Sequence, residues 1–156
     1  MEIRFSKKND KQVISCKRKD GSTTWMQSDD FFIYHDLLHY AVETTMEFKN
    51  AFWGMLAGGV SITDFELPKE LRPFTYSEEA LAAESIVNLL AMERITGPLN
   101  DFNSVLAEAH TKLKHTVSIP VVTDMQLQAI KNKYNRLIKE WQKLPLNEAL
   151  VLNFEE

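Results

Sequence analysis

The sequence has little cysteine and no long apolar run, and both shortages narrow the class of protein. Cys16 is the one cysteine among 156 residues, so a disulfide-stapled scaffold is excluded and a reducing compartment is expected. No apolar stretch approaches the roughly 20 residues that a transmembrane helix needs, and the first residues lack the apolar core of a signal peptide. These absences predict a cytoplasmic protein that does not bind membranes.

The sequence lacks an excess of basic residues, with 18 Lys and Arg against 22 Asp and Glu, which bears on nucleic-acid binding. The formal net charge is −4, and the acidity is concentrated at 31–110, where four basic side chains stand against twelve acidic ones. Domains that bind nucleic acid usually carry a basic surface. We therefore expect no nucleic-acid binding, and the acidic middle of the chain either attracts a cation or forms a solvated helix face.

The order of turn-forming and apolar residues predicts strands first and helices after. Short apolar runs at 2–6, 12–17 and 22–27 are separated by Asn9-Asp10 and Asp20-Gly21, and Asp-Gly is a strong hairpin signal because both residues tolerate positive φ. Residues 149–154 form a candidate returning strand. The expected fold class is α+β, with a small antiparallel β-meander of three or four strands packed on a mainly helical body of four to five helices.

Helix signals fill the rest of a single expected domain, 1–156. Within it, residues 1–30 form the β-meander and residues 31–144 the helical body. Capping residues open three long helices, with Asp29 or Asp30 before the first, Ser77 before the second and Thr123 before the last. A chain of 156 residues is long enough to bury a sizeable core without a second domain.

The last helix carries an apolar seam with alternating spacings of three and four residues. The seam consists of Leu127, Ile130, Tyr134, Leu137, Trp141 and Leu144. It can pack inside the domain or against a second copy, and about two and a half heptads are short for an autonomous coiled coil. We therefore expect a monomer, with a homodimer through the last helix as the alternative. The lysines of this helix are interpreted as the solvated face of an amphipathic helix.

The histidine pattern at 35–43 is the feature that points to chemistry. His35, His39 and Glu43 recur every four residues, so neighbouring members stack along one side of a helix. Because eight residues of helix rise about 12 Å, His35 and Glu43 cannot share one ion. A metal site would take two ligands here, either His35 with His39 or His39 with Glu43, and would need others from elsewhere.

Glu84 is a candidate for such a further ligand. It lies in a helix that is apolar around its circumference, and a buried carboxylate needs a partner. His35, His39, Glu43 and Glu84 are therefore the candidate ligands for a divalent metal such as zinc. His110, Glu108 and His115 are further options on another predicted helix, where His110 lies at the flank of the apolar face and His115 near the end.

Asp36 is the candidate catalytic residue if a metal is used for hydrolysis. His35-Asp36-x-x-His39, followed by Glu84-x-x-x-Asn88, resembles a distant relaxation of the zincin metallopeptidase pattern. In that pattern a Glu between two helical histidines acts as general base and a later helix supplies a third ligand, whereas Asn88 stands where the pattern would often have an acid. Asp36 is one methylene shorter than Glu, which reduces its reach to a metal-bound water. A metal-dependent hydrolase is therefore one hypothesis.

The same residues also support a non-enzymatic interpretation. A buried imidazole beside Asp36, or paired with Glu84 from a neighbouring helix, forms a hydrogen-bond network that fixes packing without any reaction. The sequence therefore predicts a binding or interaction domain with a buried His/acid network, whose partner it does not identify. A divalent-metal-binding protein or metal-dependent hydrolase is the alternative.

Residues 18–59 join three motifs in one order. A hairpin with Asp-Gly and Trp is followed by a His-Asp-Leu-x-His-aromatic-x-Val-Glu helix and then by an aromatic-Trp-Gly turn. This order resembles a family of small uncharacterised bacterial proteins, and the resemblance implies the identity of the domain but no activity. The motif positions in this sequence are His35, Asp36, His39, Glu43, Phe52, Trp53 and Gly54.

Overall fold

The computed structural model describes residues 1–112 and 119–155, which form a four-stranded sheet and five α-helices. The strands are β1 (Glu2–Ser6), β2 (Gln12–Lys17), β3 (Thr23–Ser28) and β4 (Ala149–Asn153). The helices are α1 (Asp30–Met46), α2 (Phe52–Ala57), α3 (Glu78–Thr96), α4 (Phe102–Lys112) and α5 (Asp124–Lys143). Two short 3₁₀ helices, Ile62–Glu66 and Lys69–Leu71, lie between α2 and α3. The predicted α+β class is confirmed.

The sheet has the strand order β3-β2-β1-β4, and every pairing is antiparallel. The first three strands form the predicted meander, and Gly21 between β2 and β3 adopts φ +87° as its turn requires. The returning strand is confirmed as β4, which pairs with β1 so that Glu2 faces Asn153. The amine of Met1 also donates to the carbonyl of Phe154 at 2.7 Å, so the first and last strands are held together.

Alternate side chains of β1 and β2 point into the core. Ile3, Phe5, Ile14 and Cys16 are each at most 1% exposed, while their neighbours along the strands are more accessible. This period of two is the side-chain alternation of a strand with one buried face. Burial raises the pKa of the Cys16 thiol to about 12, so this cysteine is an unreactive core residue at neutral pH.

Helix α1 lies against both α3 and α5. Its buried residues include both apolar and polar side chains, and they lie on more than one side of the helix. The buried residues are Ile33, Asp36, Leu37, Leu38, His39, Ala41, Val42 and Glu43. Three of these are polar or charged, and burying such groups is costly unless each one finds a partner. Helix α1 therefore holds the side chains that most need partners from other elements.

Helix α5 turns its apolar seam toward the chain's own core. Ile130, Tyr134, Leu137 and Trp141 are buried, and α5 contacts α1. These positions of the seam are therefore covered within the chain, as the internal alternative requires. The oligomeric state itself stays a prediction. Within the described ranges, the structure contains no helix that is both long enough and apolar enough to cross a bilayer.

The chain between α2 and α3 is held in place by Arg72. The guanidinium donates to the carbonyl oxygens of Leu67 and Phe65 at 2.9 and 3.1 Å, and to the hydroxyl of Tyr76 at 2.7 Å. Each of these bonds joins a charged donor to an oxygen, which is among the stronger kinds of hydrogen bond. The aromatic residues Phe65 and Tyr76 are thereby fixed beside the polar face of α1.

Candidate functional site

His39 is the middle member of a chain of three hydrogen-bonded side chains. Its Nδ1 lies 3.1 Å from Oε1 of Glu43, one turn further along α1, and its Nε2 lies 3.2 Å from Oε2 of Glu84 on α3. A neutral imidazole has one N–H, whereas an imidazolium has two. Both hydrogen bonds therefore form together when His39 is protonated, as a cation between two carboxylates.

The same contacts set the pKa values of the three groups. Burial lowers the pKa of His39, but the hydrogen bonds and charges of Glu43 and Glu84 outweigh burial and raise it to about 10. The hydrogen bond with His39 in turn lowers the pKa of Glu84 to about 2. Complete burial raises the pKa of Glu43, although the bond with His39 opposes that rise.

Glu43 is fully buried, and both of its carboxylate oxygens are occupied. Oε1 faces His39, and Oε2 accepts a hydrogen bond of 2.9 Å from the backbone N–H of Trp53 in α2. The first N–H groups of a helix lack partners within that helix, which makes them available to a carboxylate. Glu43 therefore orients His39 from behind, at the ring nitrogen opposite the one that faces Glu84.

Gly54 allows α2 to come this close. A Cβ at position 54 would overlap the backbone carbonyl of Lys49, in the loop that follows α1. Glycine has no Cβ, so α2 can pack directly on that loop. The close contact brings the N–H of Trp53 to Glu43, and the aromatic-Trp-Gly motif thus supports the histidine motif in space.

His35, His39 and Glu84 form a cluster that can hold a metal ion. One ligand atom from each lies within 4.8 Å of the other two, and the two imidazole centroids are 4.7 Å apart. Ligand atoms of tetrahedral zinc lie about 3.3 Å from one another. The 3.2 Å between Nε2 of His39 and Oε2 of Glu84 already meets this requirement. The side chain of His35 is 27% exposed, and its ligand atom lies within 4.8 Å of the other two.

The cluster lines a cavity of about 640 Å³ bounded by β3, α1, α3 and the chain between α2 and α3. Four aromatic residues, Phe32, Phe52, Phe65 and Tyr76, contribute to its wall. The ring centroids of His39 and Phe52 are 5.6 Å apart, and those of Phe52 and Phe65 are 4.9 Å apart. A concave, largely apolar space of this size, with a few convergent polar groups, is typical of small-molecule sites.

Asp36 lines the same cavity beside His35. It is 8% exposed, and its Oδ1 lies 3.4 Å from Nδ1 of His35, which is longer than the usual 2.7 to 3.2 Å. Asp36 is not a member of the metal-binding cluster. The structure thus places the candidate base at the cavity, and its catalytic role stays a prediction.

The structure brings three of the four predicted ligands together and leaves the fourth outside the cluster. His35, His39 and Glu84 are brought together, whereas Glu43 lies outside the cluster, behind His39. His110 lies on α4, where its Nδ1 is 3.0 Å from the hydroxyl of Ser85, and His115 lies outside the described residues.

Several groups at the site carry no recognisable sequence signal. Phe65 and Tyr76 lie in a stretch without helical or strand periodicity, so no pattern points to them. Lys11 and Asp29 form an ion pair of 3.0 Å at the cavity, and they come from separate elements. Asn88 donates to Oε1 of Glu84 at 2.9 Å, and its position four residues after Glu84 is the one signal that the sequence offers.

Comparison of the chain with family models, with curated proteins and with solved structures found no match. The resemblance of residues 18–59 to a family of small bacterial proteins therefore stays a prediction. The described residues form an α+β domain in which a His/Glu cluster, a candidate metal site, lines a cavity.

The stability of the metal-free protein is expected to depend on pH through His39. Its pKa of about 10 in the folded state lies above the 6.5 of an ordinary histidine. The stabilisation is therefore fully present below pH 6.5 and is lost as the pH rises toward 10, by up to about 1.4 kcal/mol per pH unit. Glu84 has the opposite sign, since its pKa is lowered from 4.5 to about 2 and its contribution is lost as the pH falls between those values.

Urea unfolding with a chelator present measures this dependence between about pH 6.5 and 8.5, below the range in which lysines and tyrosines titrate. The matched variant His39→Gln removes the titrating ring and keeps a polar side chain. We expect the free energy of unfolding of the wild type to fall with pH over this range and that of the variant to stay nearly level. Equal slopes for the two proteins would contradict the raised pKa of His39.

Proposed function

We propose that this chain is a divalent-metal-binding domain in which His35, His39 and Glu84 hold the ion. The observation that supports this most strongly is the pair of contacts on His39, with Glu43 at Nδ1 and Glu84 at Nε2. A histidine that binds a metal usually gives its other ring nitrogen to a carboxylate, which fixes the tautomer and the orientation of the ring. The buried Glu43, itself held by Trp53, occupies that supporting position.

The donor set also suits zinc. Two imidazole nitrogens and one carboxylate are the protein ligands of several zinc sites that keep one coordination position for water or another ligand. The three side chains line the cavity, so that fourth position is accessible. An ion between His39 and Glu84 takes the place of the proton that they share, and ligands must lose their protons to bind metal, so affinity is expected to rise with pH.

Metal content tests this proposal. Tag-free protein prepared without chelator should contain about one equivalent of a divalent transition metal by elemental analysis. After chelator treatment, added zinc, manganese or nickel should raise the midpoint of thermal unfolding, because an ion that binds only the folded state stabilises it. His39→Ala should abolish both effects.

Two further variants make the test specific. Glu43→Gln keeps the shape of the supporting side chain and should weaken the affinity by about 10- to 100-fold without changing the stoichiometry at saturation. His110→Gln alters a histidine that contacts Ser85 outside the cluster and should leave metal content unchanged. Protein that holds no metal and gains no stability from any of the three ions would overturn the proposal. The hydrogen bonds of His39 would then be those of a non-enzymatic binding or interaction domain.

A further inference from the structure

We infer that the cavity binds an organic ammonium ion whose nitrogen donates hydrogen bonds to Asp36 and whose apolar body packs against the aromatic wall. Three features of the cavity lead to this ligand: a buried carboxylate short of donors, an excess of acidic groups, and a set of aromatic rings. The first and third features do not depend on the metal proposed above, and the second applies to the metal-free protein, because Glu84 would then carry no ion.

Asp36 is the buried carboxylate that is short of donors. Its side chain is 12% exposed, and among the described residues its one hydrogen-bonding contact is the 3.4 Å approach of His35. Glu43, two turns further along α1, has contacts of 3.1 and 2.9 Å on its two oxygens. An ionised carboxylate accepts several hydrogen bonds. The oxygens of Asp36 are not among the buried side-chain atoms without a partner, so its remaining acceptor sites are accessible from the cavity that it lines. An ammonium group in the cavity would supply those donors and an opposite charge.

The charge of the cavity favours a cation. Among the described residues that line it, the acidic ones are Asp29, Asp36, Glu66 and Glu84, and the one lysine or arginine is Lys11. Lys11 is paired with Asp29 at 3.0 Å, so these two charges offset each other. Three carboxylates remain, and one of them, Glu84, has His39 at 3.2 Å. A cleft with an excess of one sign attracts the opposite charge and disfavours its own.

The aromatic wall suits both ends of such a ligand. Ring faces attract cations, and their apolar surface also buries hydrocarbon. Phe32, Phe52, Phe65 and Tyr76 line the cavity, and the ring of Tyr76 already has the guanidinium of Arg72 5.6 Å from its centre. The volume of about 640 Å³ accommodates an amine that carries an aromatic or branched aliphatic group.

Three probes of similar size and different charge test the inference: phenethylammonium, phenethyl alcohol and hydrocinnamate. Each is titrated calorimetrically into the wild-type protein with a chelator present. We expect phenethylammonium to bind at least tenfold more tightly than phenethyl alcohol, and hydrocinnamate to bind most weakly. Alcohol binding that equals ammonium binding, or a preference for hydrocinnamate, would overturn the inference.

Two variants assign the preference to particular side chains. Asp36→Asn keeps the size of the side chain, and it should weaken phenethylammonium binding at least tenfold and leave phenethyl alcohol binding unchanged. Phe52→Leu should weaken both probes. An equal loss of both probes in Asp36→Asn would count against a charge contact at Asp36. If Asp36→Asn does not show a cooperative thermal transition, the variant is not folded and cannot be compared. The order of the three binding affinities in the wild-type protein then tests the inference.

The outcome is separable from that of the metal proposal. If chelator-treated protein binds phenethylammonium more tightly than phenethyl alcohol, the inference is supported, whether or not the purified protein contains metal. Metal content without ammonium preference overturns this inference and leaves the metal proposal standing.

Discussion

Replacing Leu137 by aspartate is expected to abolish folding. Leu137 is fully buried on α5, in the core that α5 shares with α1. The change removes the apolar contacts of leucine and buries a carboxylate without a partner, and each of these costs several kcal/mol against a typical stability of about 5 to 15 kcal/mol. Circular dichroism should show a loss of helical signal and of the cooperative thermal transition.

Met125→Asp is the matched control for this prediction. Met125 is 83% exposed in the first turn of the same helix, where an acidic side chain is well tolerated. The control should stay folded. If the seam of α5 were instead the contact between two copies, Leu137→Asp would convert a larger species into a folded monomer. Sedimentation of the variant as a folded monomer derived from a dimer would contradict internal packing.

Gly54→Ala is expected to destabilise the fold by about 3 kcal/mol or more. The new Cβ would overlap the backbone carbonyl of Lys49, and a backbone group cannot rotate away as a flexible side chain can. Helix α2 would have to move, and the N–H of Trp53 would move away from Glu43 with it. A buried carboxylate that loses a donor adds about 1 to 3 kcal/mol to the cost. Urea unfolding measures the change.

Gly58→Ala is the control, because it lies in the same short stretch without the close contact. Its Cβ would meet the carbonyl oxygen of Gly54 at 3.4 Å, an ordinary contact, and Gly58 has φ −75°, which alanine adopts readily. We expect a change of less than about 1 kcal/mol. Equal destabilisation by the two variants would show that the contact with Lys49 does not govern the packing of α2.

Gly54 therefore bears on the site as well as on stability. The orientation of His39 depends on Glu43, Glu43 depends on the N–H of Trp53, and that N–H depends on the approach of α2 to the loop after α1. Groups behind a metal ligand commonly tune its affinity and orientation. The packing of α2, a helix of six residues, therefore affects the orientation of His39 in the cavity.

Local sequence signals were sufficient for most of the secondary structure. Gly21 adopts the positive φ that the Asp-Gly hairpin predicts, and Ser77 and Thr123 cap α3 and α5 as their positions indicate. These features depend on contacts within a few residues, so the chain segment that contains them is enough to predict them.

The candidate site was predictable in part. The spacing of His35 and His39 places both rings on one side of α1. The apolar surroundings of Glu84 indicate a carboxylate that is at least half buried and needs a partner; the structure gives it His39 as a partner but leaves its side chain 50% exposed. The same spacing proposes Glu43 as a ligand, whereas the structure places it behind His39. A helical repeat determines which side chains are adjacent, but it does not determine which ring nitrogen each neighbour meets.

The sequence by itself determined the fold class, the order of strands and helices, and the helix on which His35 and His39 lie among acidic residues. The tertiary structure alone decided that Glu84 reaches His39 across 45 positions of chain, that Trp53 supplies the donor for Glu43, and that an aromatic-walled cavity lies in front of the cluster. The division has a physical reason. Periodicity and capping are properties of neighbouring residues, whereas the partner of a buried polar group is whatever donor or acceptor another element brings within about 3 Å when the core packs.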